Sequence, residues 1–373
     1  MAELPSSVGL PQEMMLGHLD FSLPPDAKSY SVKIQPSNLS SVTSTFSLPT
    51  TIAGIMNDQP ATVQNIIFDI PCGTSPSLFL DNRFTTVNFT ATVTCTNVGV
   101  AGAGGLSAGN LRGSAYSYFD RMYITSQNGQ IIEDIGEFGL TNDTLLSLQL
   151  NNAVRHGTSQ QYGFSTSQNQ NNSSDSEEVI GCVGREWNTL TTGATLATSN
   201  SETHSYSIPL TSGVLGVLAD KFLNIGRTSK LQVVLQTSSI VPISAIVAGS
   251  GAWTTAPTFN LTLSNFSLQC EYIDVGINAL QMLDQTLVDG KSYIHGTTWR
   301  TSTASLPASA GSMSLLAGIR ASSVKSLFVR FAQNGAATTT NTFHGKYDSF
   351  MPLLNRPLML EGLSIPRPLS TPS

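Results

Sequence analysis

Four groups of residues in this chain carry the side chains that reactions need. Gly105-Leu106-Ser107-Ala108-Gly109 has the Gly-x-Ser-x-Gly spacing of a serine nucleophile elbow. An elbow needs a strand before it and a helix after it, so that the serine is held on a strained turn beside an oxyanion hole. Here Ala101-Gly102-Ala103-Gly104 precedes, and Asn110-Leu111-Arg112-Gly113 follows without a helical pattern, so the pentapeptide reads as part of a flexible loop. Asp175-Ser176-Glu177-Glu178 is the densest acidic cluster, but it lacks the alternating oxygen ligands and turn glycine of a calcium loop, and reads as solvated surface. Glu133, Asp134 and Glu137 suggest the paired carboxylates of a glycosidase. Adjacent residues on a strand face opposite sides, so Glu133 and Asp134 share no cleft there, and salt bridging with Arg121 is the expected role. His295 and Trp299 fall on one face of an expected strand, where a histidine packs or hydrogen-bonds more often than it reacts.

The remaining reactive types are dispersed. Cys72, Cys95, Cys182 and Cys270 form no Cys-x-x-Cys and read as reduced thiols packed as small hydrophobes. His18, His156, His204, His295 and His344 lie too far apart for a local metal motif. Sequons at Asn38, Asn88, Asn142, Asn171, Asn172, Asn260 and Asn265 reflect the abundance of Asn, Ser and Thr, since Asn88 and Asn260 fall inside strand patterns. No catalytic, cofactor-binding or metal site is expected.

The elements that would position these residues are overwhelmingly strands. Prolines 5, 11, 24, 25, 36, 49 and 60 make residues 1–61 an expected extended N-terminal arm, with one amphipathic turn at Met14–Phe21. Val63–Ile70 reads as a strand closed by Pro71. Val87, Phe89, Ala91, Val93 and Cys95 then alternate with Asn88, Thr90, Thr92 and Thr94, the period of a strand with one buried face. The glycine-rich stretch 98–110 reads as a loop. Arg121–Thr125 and Gln130–Glu133 flank Asn128-Gly129, a pair that favours a type I′ hairpin. Thr141-Asn142-Asp143 is expected to cap a helix to about residue 153, and 155–200 to be a long polar loop. Further strands are expected near Tyr206–Leu210, Leu231–Leu235 and Phe259–Val275. The last shifts phase between Leu263 and Phe266, which predicts a β-bulge at Ser264-Asn265. A short helix over Ile277–Gln285 precedes expected strands at Ser292–Thr301 and Val324–Phe331.

Composition narrows the function. Of 373 residues only 11% are charged, against roughly 25% in an average soluble protein. The apolar fraction is 40%, enough for a substantial core. A surface this poor in charge is covered by Ser, Thr, Asn and Gln or by neighbouring subunits, which favours an assembled β protein. Eighteen Lys and Arg without a run make a phosphate-tracking surface improbable. No apolar stretch is long enough for a transmembrane helix, and Met1-Ala2-Glu3-Leu4-Pro5 does not read as a secretory signal. The expected class is an all-β sandwich of jelly-roll type with a few short helices. Its expected divisions are a first jelly roll over 62–276, a linker helix over 277–287 and a second, partial one over 288–373.

Several segments taken in order add a resemblance. Gly113-Ser114-Ala115-Tyr116-Ser117-Tyr118-Phe119-Asp120-Arg121 leads into Asn128-Gly129-Gln130-Ile131-Ile132-Glu133. Asp289-Gly290-Lys291, His295-Gly296-Thr297-Thr298-Trp299-Arg300, Ser323–Phe331 and Lys346-Tyr347-Asp348-Ser349 follow. Together they resemble the double jelly-roll major capsid proteins of polinton-like viruses and virophages. That resemblance implies two tandem jelly rolls, and homotrimers of pseudo-hexagonal outline that tile an icosahedral shell in the virion. It also implies contact with neighbouring capsomers, and with minor capsid proteins or an internal membrane through residues 1–60. Direct sequence-specific nucleic-acid binding is not expected. Ile365–Pro372 resembles the middle of the family's second jelly roll, so that module is expected to lack strands here. A β-sandwich adhesin or spike binding receptors through its long loops is the alternative, and a hydrolase using Ser107 the third reading.

Overall fold

The computed structural model describes residues 27–47, 54–56, 59–96, 105–149, 158–163, 183–187, 199–219, 222–248, 258–286, 296–303 and 324–328. Among these residues, fifteen strands fall into eight chain segments. The first holds β1 (Lys28–Ile34) and β2 (Ser41–Ser47), and the second β3 (Gly54–Met56), β4 (Gln59–Pro60) and β5 (Asn65–Ile70). The third is β6 (Leu78–Thr96), and the fourth is β7 (Gly105–Arg112) with β8 (Phe119–Ser126). The fifth is β9 (Ile131–Gly136) with β10 (Val183–Trp187), and the sixth β11 (Ser199–Pro209). β12 (Leu231–Thr237), β13 (Ile240–Val241) and β14 (Ile243–Ala248) make the seventh, and β15 (Thr258–Asp274) the eighth.

Pairing follows a simple rule. The first segment pairs with the eighth, the second with the seventh, the third with the sixth and the fourth with the fifth, all antiparallel. The chain is therefore one long hairpin of four nested pairs. Rolling it up brings β15 against β6, β12 against β8 and β14 against β7. The sheets that result run β1/β2-β15-β6-β11 on one side, and β5-β12-β8-β9 with β3-β14-β7-β10 on the other. This is the path of an eight-stranded jelly roll built from Greek keys.

One core lies between the sheets. Inward residues of β6 (Val87, Phe89, Ala91, Val93) meet Phe68, Ile124, Val233 and Leu235 of the opposing side. Phe89 is its hub, with ring centroids 5.2 Å from Phe119, 5.3 Å from Tyr206, 5.6 Å from Tyr118 and 6.3 Å from Phe266. Three of these pairs are edge-on or tilted, an arrangement aromatic quadrupoles favour, and the fourth is stacked.

The bulge expected in the last long strand is present: the β15–β6 register shifts between Ser264 and Ser267, and Asn265 has φ 54°. Asparagine tolerates this left-handed conformation better than most residues. The helix expected over 277–285 is α3, Gly276–Thr286. Its entry is fixed by Asp274, which accepts the Gly276 N–H at 3.1 Å and the Ser77 hydroxyl at 2.6 Å.

Other local expectations change. Within the expected arm, residues 28–60 carry four strands, and β1 and β2 form an edge of the large sheet. Pro24, Pro25, Pro36 and Pro49 flank β1 and β2 rather than interrupting them. The Asn128-Gly129 hairpin is not type I′, because Gly129 (φ 74°) has positive φ and Asn128 does not. The Gly129 N–H bonds Ser126 O and the Ser126 N–H bonds Gln130 O, each at 2.9 Å, which makes a type I turn closed by a glycine bulge. The helix after β9 is α1, Phe138–Gln149; it begins ahead of the expected cap, and Asn142 and Thr144 bond carbonyls four residues back, inside it. Glu137, at φ 48°, makes the turn into it. The glycine-rich 98–110 stretch runs into β7, and the described residues of the expected 155–200 loop include a helical turn, α2 (Ser159–Tyr162), β10 and the start of β11.

Downstream, the expected strands at Ser292–Thr301 and Val324–Phe331 are not strands over their described parts, 296–301 and 324–328, apart from one bridge between Ala219 and Gly296. The segment instead lies as a strap on the loop after β11. Gly213 has no room for a Cβ because Thr297 O would stand 2.7 Å from it, so backbone packs directly on backbone.

Candidate functional site

Ser107 lies within β7, a central strand hydrogen-bonded to β10 and β14. Ser107 is inside the strand, and the short 3-10 turn at Ala115–Tyr118 follows only after Arg112, so this is not the strand-turn-helix that exposes a nucleophile. Asp175–Glu178 and His295 fall outside the described residues.

The β9 carboxylates separate as the alternation requires. Asp134 faces outward and takes a two-pronged bond from Arg121, Nε to Oδ1 at 2.8 Å and Nη2 to Oδ2 at 2.7 Å. These bonds from the Arg121 guanidinium hold the Asp134 carboxyl below the ordinary carboxylate range. Arg121 also stands 5.0 Å over the Tyr123 ring.

Glu133 points inward and is 3% exposed. Its Oε2 accepts the Ser212 hydroxyl and its Oε1 accepts the Gly213 N–H at 2.9 Å. Ser212 Oγ accepts in turn from the N–H groups of Val214 and Leu215, each at 3.1 Å. Glu133 thus fastens the loop that receives the strap. Thr297 donates its N–H to Leu218 O at 3.2 Å, and the Thr301 hydroxyl bonds Gly136 O at 2.9 Å. Lys325 Nζ bonds Thr297 Oγ1 at 2.8 Å, and the Trp299 and Phe328 rings lie 5.6 Å apart.

The thiols are buried as expected for Cys270, which burial pushes up to about 12, while half-buried Cys72 is raised by the same cause. Among the described residues no group of three His, Cys, Asp or Glu side chains could hold a metal ion, and no helix is long and apolar enough to cross a membrane. His204 is buried in β11, with Nε2 2.9 Å from Glu202 Oε1.

The feature that reading single strands does not reveal lies on the outer face of the large sheet. Register aligns Thr45, Asn260, Thr94 and Ser201 in one row across four strands. Thr43, Thr262, Thr92 and Thr203 make the next, and Ser41, Ser264, Thr90 and Ser205 the third. None of these side chains is buried and none is charged. Lateral bonds fix them: Thr43 with Thr262 at 3.0 Å, Thr45 to Asn260 at 2.7 Å, Thr92 with Thr203 at 2.9 Å and Thr94 with Ser201 at 3.1 Å. The alternating Thr90, Thr92 and Thr94 are a visible signal in the sequence; what the sequence hides is which strands lie beside them.

No family model and no curated protein matches the chain. Among solved structures it is similar to the major capsid protein of mavirus, at 12% identity and TM-score 0.34 over 76% of this chain and 53% of that one. A chain of the Sputnik virophage matches at 12% identity and TM-score 0.30, over 70% and 53%. One from Sulfolobus Turreted Icosahedral Virus matches at 10% identity and TM-score 0.24, over 59% and 45%. The chain spans about half the length of these solved chains.

Proposed function

We propose that this protein is a non-enzymatic major capsid protein, a structural subunit of an icosahedral virus shell. The observation that carries the reading is the complete eight-segment jelly-roll path over residues 28–274. The scarcity of charge supports it, because broad wet contacts between subunits need hydroxyl and amide groups more than ion pairs. Weak contacts of that kind add up when many are made at once.

In this reading α3 links the first jelly roll to a second that begins near residue 288, and the strap over 296–303 docks the two. Three chains form a trimer of pseudo-hexagonal outline. Residues ahead of β1 reach minor capsid proteins or an internal membrane, and the chain resides in the virion without reading nucleic-acid sequence. Electron microscopy of the native assembly tests this: class averages with three-fold particles of hexagonal outline are expected. Isolated monomers or slender stalked trimers would overturn it. Those outcomes would favour a receptor-binding adhesin, for which the long insertion between β9 and β10 supplies the loop.

A further inference from the structure

We infer that the uncharged hydroxyl face of the β2-β15-β6-β11 sheet is a contact surface for the same face of a second copy of this chain. The inference rests on the shell-subunit reading and names the partner of one surface within it.

Three properties point to a like partner. A hydroxyl both donates and accepts, so a face of threonines and serines complements itself, whereas a charged face needs an opposite one. The chain carries a formal charge of −6, so two copies repel wherever acidic surface meets acidic surface. The three rows of four contain no charge at all, which makes this face a place where copies approach without that penalty. The side chains are also ordered before contact. Threonine has a stiff χ1, and four lateral hydrogen bonds tie β2 to β15 and β6 to β11, so little rotamer freedom remains to lose.

Size sets the strength. Four strands about 4.8 Å apart and five residues at about 3.4 Å each give a patch of roughly 300 Å². A standard stable interface buries about 800 Å² on each partner. One such contact is therefore weak, and it holds copies together only alongside others.

The test is self-association of the full chain by sedimentation over a dilution series. Thr92→Glu with Thr262→Glu places like charges at the centre of the grid. Gln281→Glu with Gln285→Glu adds the same charge on the exposed face of α3. The grid pair is expected to raise the concentration of half-association at least tenfold at a temperature well below its own melting point, and the α3 pair to leave association as in wild type. Mixing the grid pair with Thr92→Lys, Thr262→Lys, which carries the opposite charge on the same face, is expected to regain association. Wild-type association by the grid pair, or a mixture that associates no better than either variant alone, overturns the face-to-face contact while the shell reading stands. A wild-type chain that remains monomeric throughout removes both.

Discussion

Replacing Glu133 isolates what a buried carboxylate contributes to docking the downstream segment. At 3% exposure it is shielded from water, and it accepts from two donors on the loop after β11. A hydrogen bond to a charged group contributes about 1.5–3 kcal/mol, and a buried donor left without a partner costs about 1–3 kcal/mol. Glu133→Ala strands both the Ser212 hydroxyl and the Gly213 N–H, so it is expected to destabilise the fold by about 3 kcal/mol. Glu133→Gln keeps one carbonyl for Gly213. It offers Ser212 a donor where an acceptor stood, while Ser212 Oγ already receives two N–H groups. Its expected cost is about 1–2 kcal/mol. Hydrogen exchange read by mass spectrometry should show faster exchange at 213–219 and 296–301 in both variants, with β5 and β12 protected as in wild type. Unchanged exchange at those two segments, or a loss below about 1 kcal/mol for Glu133→Ala in chemical denaturation, would refute the role assigned to the carboxylate.

Phe89→Ala removes the hub of the aromatic cluster and is expected to cost about 4 kcal/mol, measured by urea unfolding; Phe89→Leu should cost clearly less. Iodoacetamide at pH 8 followed by mass spectrometry should modify Cys72 ahead of Cys270 in the native state, and Cys270 only on unfolding, because burial raises both thiols and Cys270 most. The depressed Asp134 carboxyl contributes stability that is present above its unfolded value of about 4 and lost as pH falls through its lower folded value. Asp134→Asn should therefore cost about 0.5 kcal/mol at pH 7, after solvent screening, and nothing at pH 2, read from melting temperatures across that range.

What could be read from the chain depended on how strongly each segment alternates. β6 from Val87 onward, β12 and β15 carry apolar residues at every second position, and even the bulge at Asn265 showed as a phase slip in that pattern. β1 and β2 were hidden because their outward positions are Ser, Thr and Lys and their inward apolar residues few, while nearby prolines suggested an arm. β7 was hidden because Gly-Leu-Ser-Ala-Gly has no strand propensity of its own, and its place is set by β14 and β10 on either side. Opposite facing of Glu133 and Asp134 followed from strand geometry, and so did the partner of Asp134. The partners of Glu133 lie about eighty residues away, beyond any local pattern. The hydroxyl rows were legible one strand at a time, but not as a surface, because register between β2, β15, β6 and β11 is a property of the folded chain.

The large sheet runs unbroken through β6 and β15, while every segment opposite it is interrupted at one level. β7 ends at Arg112 and β8 resumes at Phe119; β12 ends at Thr237 and β14 begins at Ile243; β9 and β10 are parted by the long insertion; β3 and β5 are parted by the short β4. The sandwich therefore has a continuous back wall and two separate front panels. A rigid wall with a seam across its opposite side can open one panel while the other stays shut, because no strand of the front sheets carries strain across the seam. The panel holding β3, β7, β10 and β14 can then loosen without disrupting the panel that contains Phe68, Ile124 and Val233.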